Sequence, residues 1–436
     1  MSEALEQSDL REGYEEVQLG PKTFIVPSDW STERFGNVYQ RRRASVDDLE
    51  DGEIRYVGLK HLDSGQLKIN GYDEDGRERS SSRVFRKGDV LFGKLRPNLN
   101  KAAIAPFSGV CSSDIIPLYA KEDTHQQYLP HLMHSKLIRD RVVSTMEGTN
   151  LPRTSWKDLE KTLIPLPSLP EQRRIADILS TVEEQIQQTD GIIETRTELR
   201  EGLLQNLLKN GIGHNKYNSL RVGPISIQVP KSWELEAIDD IILPGKDGLR
   251  GGPPGSRIKK GNRVEQGYKI YVQDHVINDD FSLRDDYISE DKFEQLESAA
   301  PIPGDVLVTR RGTIGKSTVF PENAKEGIIS DSLIRIRPDS VCLPEFLSLV
   351  INSSNLIRLQ IQSLSYGSSR KGLNNKIVKQ LIIPLPPIEE QEEIIEMLSV
   401  VNRTIDLENE RRSQLSDLKR GLMQDLLTGK VRVKTD

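Results

Sequence analysis

Two stretches of the chain place apolar or small side chains at alternating steps of three and four, the spacing of one helical face. The first runs through Ile175, Leu179, Val182, Ile186, Thr189, Ile193, Leu203 and Leu207, the second through Ile394, Leu398, Val401, Ile405, Leu415, Leu422 and Leu426. Such a seam is what a coiled coil buries, so both stretches are predicted as long helices, with charged Glu408 and Arg412 interrupting the second. The first has a physical start in Ser168 with Glu171 three residues on, a capping-box spacing, and Pro170 is tolerated in the first turn. The second has Pro387 in place of that serine, but Glu389 and Glu390 still put negative charge at the positive end of the dipole. Asn210-Gly211 and Gly429 supply the exits. A helix of about 40 residues spans roughly 60 Å, enough to act as a spacer between domains.

The two helices are copies. Ile164-Pro165-Leu166-Pro167 with Glu171-Gln172 returns as Ile383-Pro384-Leu385-Pro386 with Glu390-Gln391, and 383 less 164 gives an offset of 219 residues. The register holds through Leu179-Ser180 and Leu398-Ser399, Val182 and Val401, Ile186 and Ile405, and Gly202-Leu203 and Gly421-Leu422. Ahead of them the chain repeats more loosely. Pro27 and Trp30 match Pro230 and Trp233, Gly88-Asp89-Val90-Leu91 matches Gly304-Asp305-Val306-Leu307, Ser113-Asp114 matches Ser330-Asp331, and Gly148 matches Gly367. Two equal helices in one chain can pair antiparallel, which suits the twofold symmetry of a DNA backbone.

Between the helical segments, short β-prone runs such as Ile54 to Leu59, Asp89 to Phe92, Lys269 to Val272 and Asp305 to Thr309 alternate with turn residues. Helical patterns come late in each domain, around Tyr128 to Ser144 and Pro344 to Leu364. The expected fold class is therefore mixed α/β (α+β) domains, duplicated, joined by an antiparallel intramolecular coiled coil. The expected division is an acidic tail over 1–16, a first domain over 17–163, a helix over 164–212, a linker over 213–226, a second domain over 227–382 and a last helix over 383–432.

Composition narrows the chemistry. At 436 residues the chain is long for one core, and no apolar run approaches a membrane span, so a cytoplasmic address is expected. Two cysteines, Cys111 and Cys342, build neither a disulfide framework nor a four-cysteine zinc site, and His131 and His134 lack the spacing of a zinc-hydrolase helix. No metal is expected. Gly312-Thr313-Ile314-Gly315-Lys316-Ser317 resembles a phosphate-cradling loop, but Arg310 stands where the first glycine belongs. Pro386-Pro387 is flanked by Leu385 and Ile388, unlike the Asn-Pro-Pro-aromatic tetrapeptide of adenine methyltransferases. Ser112-Ser113-Asp114 and Ser330-Asp331-Ser332 are read as turn braces, and Trp30 and Trp233 as core anchors. No catalytic residue is assigned.

The net charge of −6 hides a local concentration of cations. In the first domain Arg41, Arg42 and Arg43 form one run, and Lys94, Arg96, Asn98, Asn100 and Lys101 follow a strand, joined by Arg153. In the second, Arg310, Arg311 and Lys316 occupy the matching loop, with Arg257, Lys259, Lys260 and Arg263 before it and Arg370, Lys371, Asn374 and Lys376 after it. Lysine and arginine neutralise phosphates, and arginine and asparagine can pair bidentately with guanine and adenine. These residues are the candidate DNA contacts.

Pro-Leu-Pro-x-x-x-Glu-Gln entering a long helix twice, each time after a Gly-Asp-Val-Leu strand, resembles the specificity subunit of type I restriction-modification systems. Tyr56-Val57-Gly58-Leu59, Gly93-Lys94-Leu95-Arg96-Pro97 and Leu99-Asn100-Lys101-Ala102 share that family's phrasing. The resemblance covers nearly the whole chain. It implies that each domain reads half of a bipartite, asymmetric DNA site while the paired helices set the unread spacer and dock partners. Those partners would be two methyltransferase subunits using S-adenosylmethionine and two ATP- and Mg2+-dependent translocase-nuclease subunits, the chain itself holding no cofactor. The competing readings are a coiled-coil scaffold without sequence preference and a self-contained DNA-modifying enzyme.

Overall fold

The structure, a computed structural model, describes residues 12–19, 22–44, 54–74, 82–148, 150–222, 225–258, 260–364 and 372–435. Its packing divides the chain into two units, residues 1–191 with 409–436, and residues 192–408. Each unit takes one end of the central helix Leu169–Asn210 and the opposite end of the C-terminal helix Ile388–Leu426.

The first unit opens with a hairpin, Tyr14–Leu19 against Lys22–Pro27. Its main sheet is antiparallel in the order Tyr39–Arg41, Ile115–Ala120, Val90–Gly93, Ala102–Ile104. A smaller sheet joins Tyr56–Val57, Gly109–Cys111 and Arg83–Phe85, the first pair parallel. The second unit repeats the plan. Hairpin Tyr217–Val222 with Ile225–Pro230 precedes an antiparallel sheet in the order Leu249–Gly251, Leu333–Ile336, Val306–Thr309, Ser317–Val319. Its other sheet again contains a parallel pair, Tyr268–Tyr271 with Gly327–Ile329. The stretch 213–226, read from sequence as a linker, thus carries one whole strand and the start of the next, and the expected acidic tail 1–16 ends inside strand Tyr14–Leu19. Alternation in these hairpins is half polar on both faces, which is why it does not stand out in the sequence.

The repeated Gly-Asp-Val-Leu motif builds the same corner in both units. Gly88 and Gly304 sit at φ of +89° and +87°, a conformation that glycine adopts without a Cβ penalty. The next residue is a buried aspartate. Asp89 accepts from the Arg86 amide at 2.8 Å, and Asp305 accepts from the Ile302 amide at 2.8 Å. A buried carboxylate needs a counter-charge, and each unit supplies a two-pronged arginine. Arg42 reaches Asp89 at 2.5 and 2.6 Å, and Arg337 reaches Asp305 at 2.7 and 2.9 Å. The two arginines enter from different strands, so this part of the repeat is structural rather than textual.

Helix ends and domain cores are continuous. In the first unit Ile175, Ala176, Leu179, Leu426 and Leu427 pack with Trp30, Phe35, Tyr39, Phe92 and Tyr128. In the second, Leu204, Leu207, Ile394 and Leu398 pack with Trp233, Val306, Ile336, Phe346 and Val350. The seam residues named from sequence are all buried or half-buried, Val182, Ile193, Leu203, Val401, Ile405, Leu415 and Leu422 being the half-buried ones. The polar interruption of the second seam pairs across the helices. In the first unit Lys419 meets Glu183 at 2.6 Å and Arg412 meets Asp190 at 2.5 Å. Seven residues forward on one helix match seven backward on the other, so the ends run antiparallel. In the second unit Arg196 meets Glu408 at 3.2 Å and the Thr404 carbonyl at 3.1 Å, and Arg200 donates to Asn402.

The Glu-Gln of the repeated motif fastens each helix start. Gln172 donates to the Pro167 carbonyl at 2.9 Å and accepts from the His125 amide at 2.9 Å. Gln391 donates to the Pro386 and Val341 carbonyls, both at 2.9 Å, and accepts from the Leu343 amide at 2.8 Å. Glu171 takes Arg432 at 2.7 Å, and Arg432 also forks onto Asp29 at 2.7 and 2.9 Å. Glu390 accepts from the Ile212 amide at 2.9 Å, His214 at 2.8 Å and the Trp233 indole at 2.9 Å. In each unit, then, the start of one helix is tied to the segment that leaves the other. The capping box at Ser168 and Glu171 forms with long bonds, 3.4 and 3.5 Å.

Two stability predictions follow from these buried groups. Gln391→Glu cannot donate to the Pro386 and Val341 carbonyls, and leaving buried acceptors unmet costs about 3 kcal/mol. Urea unfolding followed by Trp233 fluorescence should show an early transition, and a wild-type midpoint would contradict the tether. His131 and His134 are buried, with Nε2 on Ser180 Oγ at 3.2 Å and on the Ala102 carbonyl at 2.7 Å. Burial, with Lys419 nearby, holds them down at about 3 and about 4. Their ordinary value is near 6.5, so the unfolded chain takes up protons first as pH falls, and stability is full above that value and drains below it. Each histidine contributes a slope of about 1.4 kcal/mol per pH unit. Calorimetry should show the first unit's melting temperature falling between pH 6 and pH 4, less steeply in His134→Gln; pH-independent melting would refute it.

Candidate nucleic-acid interface

Each unit's main sheet turns a hairpin at the end of the strand that follows the Gly-Asp corner, and the candidate cations sit in that turn. In the first unit the loop between Val90–Gly93 and Ala102–Ile104 contains two non-glycine residues in the left-handed region, Arg96 at φ 49° and Asn100 at φ 50°. Pro97 disfavours a right-handed helical conformation at Arg96, and the Arg96 amide is held by the Pro152 carbonyl at 2.7 Å. Such backbone strain clusters at functional sites. Arg96, Asn98 and Arg153 have exposed side chains. Lys94 and Arg153 converge on Asp114, at 3.9 and 3.1 Å, and burial with Arg83 nearby pulls the Lys94 ammonium below its usual range. Lys101 donates to the Leu59 carbonyl at 3.0 Å. Arg43 is exposed, Arg42 is committed to Asp89, and Arg41 keeps its buried Nε unbonded among the described residues.

In the second unit the corresponding turn spans Arg310 to Lys316. Gly312 and Gly315 take φ of +66° and +79°, and Thr309 Oγ1 accepts from the Lys316 amide at 2.9 Å. The glycines that mimic a phosphate loop are thus the hinges of a tight hairpin. Arg311 pairs with Asp331 at 2.7 Å, as Arg153 does with Asp114, which places the repeated Ser-Asp beside both loops. The serines brace the turns as expected, Ser112 Oγ accepting from the Asp114 amide at 3.2 Å and Ser330 Oγ from the Ser332 amide at 3.4 Å.

Arg310 differs from its neighbours. Its Nε donates to the Leu373 carbonyl at 3.2 Å, and its guanidinium has no carboxylate partner among the described residues. Burial first, and Arg311 second, hold its pKa below the usual arginine value. It lines a cleft with Lys246, Arg250, Asn374, Asn375 and Lys376 in which no acidic side chain appears. Asn374 has a second task, its Oδ1 capping helix Asn375–Lys379 through the Ile377 amide at 3.0 Å. Ser155 caps helix Trp156–Leu159 at the matching place in the first unit. Arg257, Arg263 and Lys316 are exposed, with Arg263 paired to Asp286 at 2.6 Å. Lys259, Arg370, Lys371 and the side chain of Lys260 lie outside the described residues.

Sequence reasoning did not single out Lys246, Arg250 and Asn375, because Lys246 and Arg250 reach the cleft from strand Leu249–Gly251 and the turn before it, some sixty residues ahead of the loop they face. It also missed Arg55, which stacks over Tyr72 and Phe107 with its guanidinium 4.7 and 4.8 Å from the ring centres. Beside Arg250 the textual sign was the Gly251-Gly252-Pro253-Pro254 run.

Among the described residues no group of His, Cys, Asp or Glu could hold a metal ion, and no helix is long and apolar enough to cross a membrane. Cys111 and Cys342 are free and buried, and burial pushes the Cys342 thiol up to about 12.

The profile of the type I restriction modification DNA specificity domain matches residues 27–195 and again 254–417. The type I restriction enzyme MjaVIII specificity subunit of Methanocaldococcus jannaschii is 24% identical over 428 residues, 94% of each chain. The type I restriction enzyme EcoDI specificity subunit of Escherichia coli is 32% identical over 171 residues, 37% of this chain and 38% of that one. Among solved structures, a chain from a study of type I R-M complex assembly and conformational transition superposes with a TM-score of 0.57 at 20% identity, covering 93% of this chain and 99% of that one. The type I restriction-modification S subunit from M. genitalium superposes with a TM-score of 0.54 at 12% identity, covering 94% and 98%. These two share the fold. Two matched domains, duplicated sheets with basic turns, and paired helix ends agree with one another: the chain belongs to the type I restriction-modification DNA specificity family, as a DNA-binding subunit with two recognition domains.

Proposed function

We propose that each unit binds one half of a bipartite, asymmetric DNA site, and that the paired helices fix the unread gap and dock the partner subunits. One observation carries this reading: the two units share sheet order and a basic hairpin turn at the same strand end, yet the side chains in the two turns differ. A common scaffold with different contact residues is what two readers of different sequences require. The exposed Arg43, Arg96, Asn98 and Arg153 would contact DNA from the first unit, and Arg257, Arg310, Arg311 and Lys316 from the second. Arg42 and Lys101 hold the fold instead. Methyl transfer from S-adenosylmethionine belongs in this reading to two methyltransferase subunits, and ATP- and Mg2+-dependent translocation and cleavage to two further subunits. The chain contributes recognition, not a reacting group.

Exchanging residues 238–381 for those of a relative leaves the pair Glu234–Ala237 and Ile382–Leu385 as a clasp. Methylation mapping of the assembled complex should then show one half-site replaced and the other kept; a change in both halves would contradict independent readers. Removing the opposed heptads 184–190 and 412–418 keeps the Glu183–Lys419 pairing partners. It shortens the helices by about 10 Å, or about three base pairs at 3.4 Å each. The mapped gap should contract by that amount with both half-sites intact, and an unchanged gap would refute the ruler.

A further inference from the structure

One cleft of the second unit is lined by Lys246, Arg250, Arg310, Asn374, Asn375 and Lys376, with no acidic side chain in its lining. Polyanion sites are marked by cations that nothing in the protein neutralises, and several cations of the second unit are neutralised. Arg311, Arg263, Arg284 and Lys379 pair with Asp331, Asp286, Asp274 and Asp239. Lys246, Arg250, Arg310 and Lys376 have no carboxylate partner among the described residues, and these four line one cleft.

Within the cleft the four are not equivalent. Lys246 and Lys376 are exposed, and Arg250 and Arg310 half-buried. Arg310 alone is oriented by the protein. Its backbone is bracketed by the Ser332 carbonyl at 3.0 Å and the Leu373 amide at 3.0 Å, and its Nε is fixed on the Leu373 carbonyl at 3.2 Å. That leaves the two terminal nitrogens as a planar fork whose direction is set before any ligand arrives. Lack of a side chain at Gly251 makes the room: a Cβ there would lie 3.2 Å from Arg310 Nη1 and 3.1 Å from Asn375 Oδ1. A held guanidinium beside a carboxamide, in a pocket floored by glycine, offers the two donor groups that pair bidentately with the major-groove edges of guanine and adenine.

We propose that Arg310 is the specificity-determining residue of the second unit, pairing bidentately with a guanine in the major groove of duplex DNA, while Lys246, Arg250 and Lys376 bind the flanking phosphates. Asn375 contacts the adjacent base. The proposal rests on the bipartite-reader function and adds to it which residues read and which only bind.

The test uses the full chain co-purified with the methyltransferase subunits of its own system, selected on a library of randomised duplexes. Wild type should enrich two sequence blocks at a fixed gap, one containing guanine read by Arg310. Arg310→Ala should keep the other block, lose the preference for that guanine and weaken binding about 10- to 100-fold. Arg310→Lys keeps the charge but not the fork, so it should retain affinity for random duplex and lose the guanine. Gly251→Val, with no change of charge, should reproduce the loss by filling the space before the fork. Arg250→Gln and Lys376→Gln should weaken all sequences alike and each lower the salt slope by about 1. If Arg310→Ala and Arg310→Lys both enrich the wild-type guanine, the assignment of Arg310 is wrong while the two-reader function stands. If wild type enriches no paired blocks, both fall.

Discussion

A glutamate and a glutamine at the start of each long helix bind together what the rest of the molecule depends on. Gln172 and Gln391 bond to domain backbone and to their own proline-rich approach. Glu171 and Glu390 bond to the segment leaving the opposite helix, through Arg432 in one unit and through His214, Trp233 and the Ile212 amide in the other. All are buried or nearly so, so their bonds are made in a low dielectric where an unmet partner is costly. The consequence is mechanical: a helix end cannot tilt on its domain without breaking bonds that water cannot replace.

Apolar packing completes that junction. Ile175, Leu179, Ile394 and Leu398 lie in the domain cores themselves, and the middle of the helices is held by ion pairs and partly buried residues. Exposed ion pairs add little stability, but opposite charges at fixed offsets disfavour other registers. Rigid ends and a register-specific middle are the properties a spacer needs. The acidic net charge is compatible with DNA binding for a related reason. Ion pairs such as those of Asp89 and Asp305 cancel equal charge of both signs, so what a duplex meets depends on where unpaired cations gather, as in the cleft around Arg310 whose lining has no acidic side chain.

Much of this was legible in the sequence, and for definite reasons. The helices showed because Ile and Leu at steps of three and four mark one buried helical face, and the duplication showed because Pro-Leu-Pro and Glu-Gln recur in both copies, where the structure has them making specific bonds. Asp89 and Asp305 were visible as a motif but not as buried ions, since their partners Arg42 and Arg337 come from non-equivalent strands. For the same reason Arg42 looked like a free cation in a basic run. Asn374 resembled a base contact and is also a helix cap, and Lys246, Arg250 and Asn375 carry no motif because only the folded sheet brings them to Arg310. Long-range pairing decided the differences at Arg42 and around Arg310, and the cap at Asn374 is local.

The central claim is that two independent surfaces read DNA across a set distance. Sequencing the methylated bases in a genome exposed to the complete complex measures this most directly. The account predicts two short specified blocks, different from one another, separated by a constant number of unspecified bases. A contiguous motif, a variable gap or modification without sequence preference would contradict it.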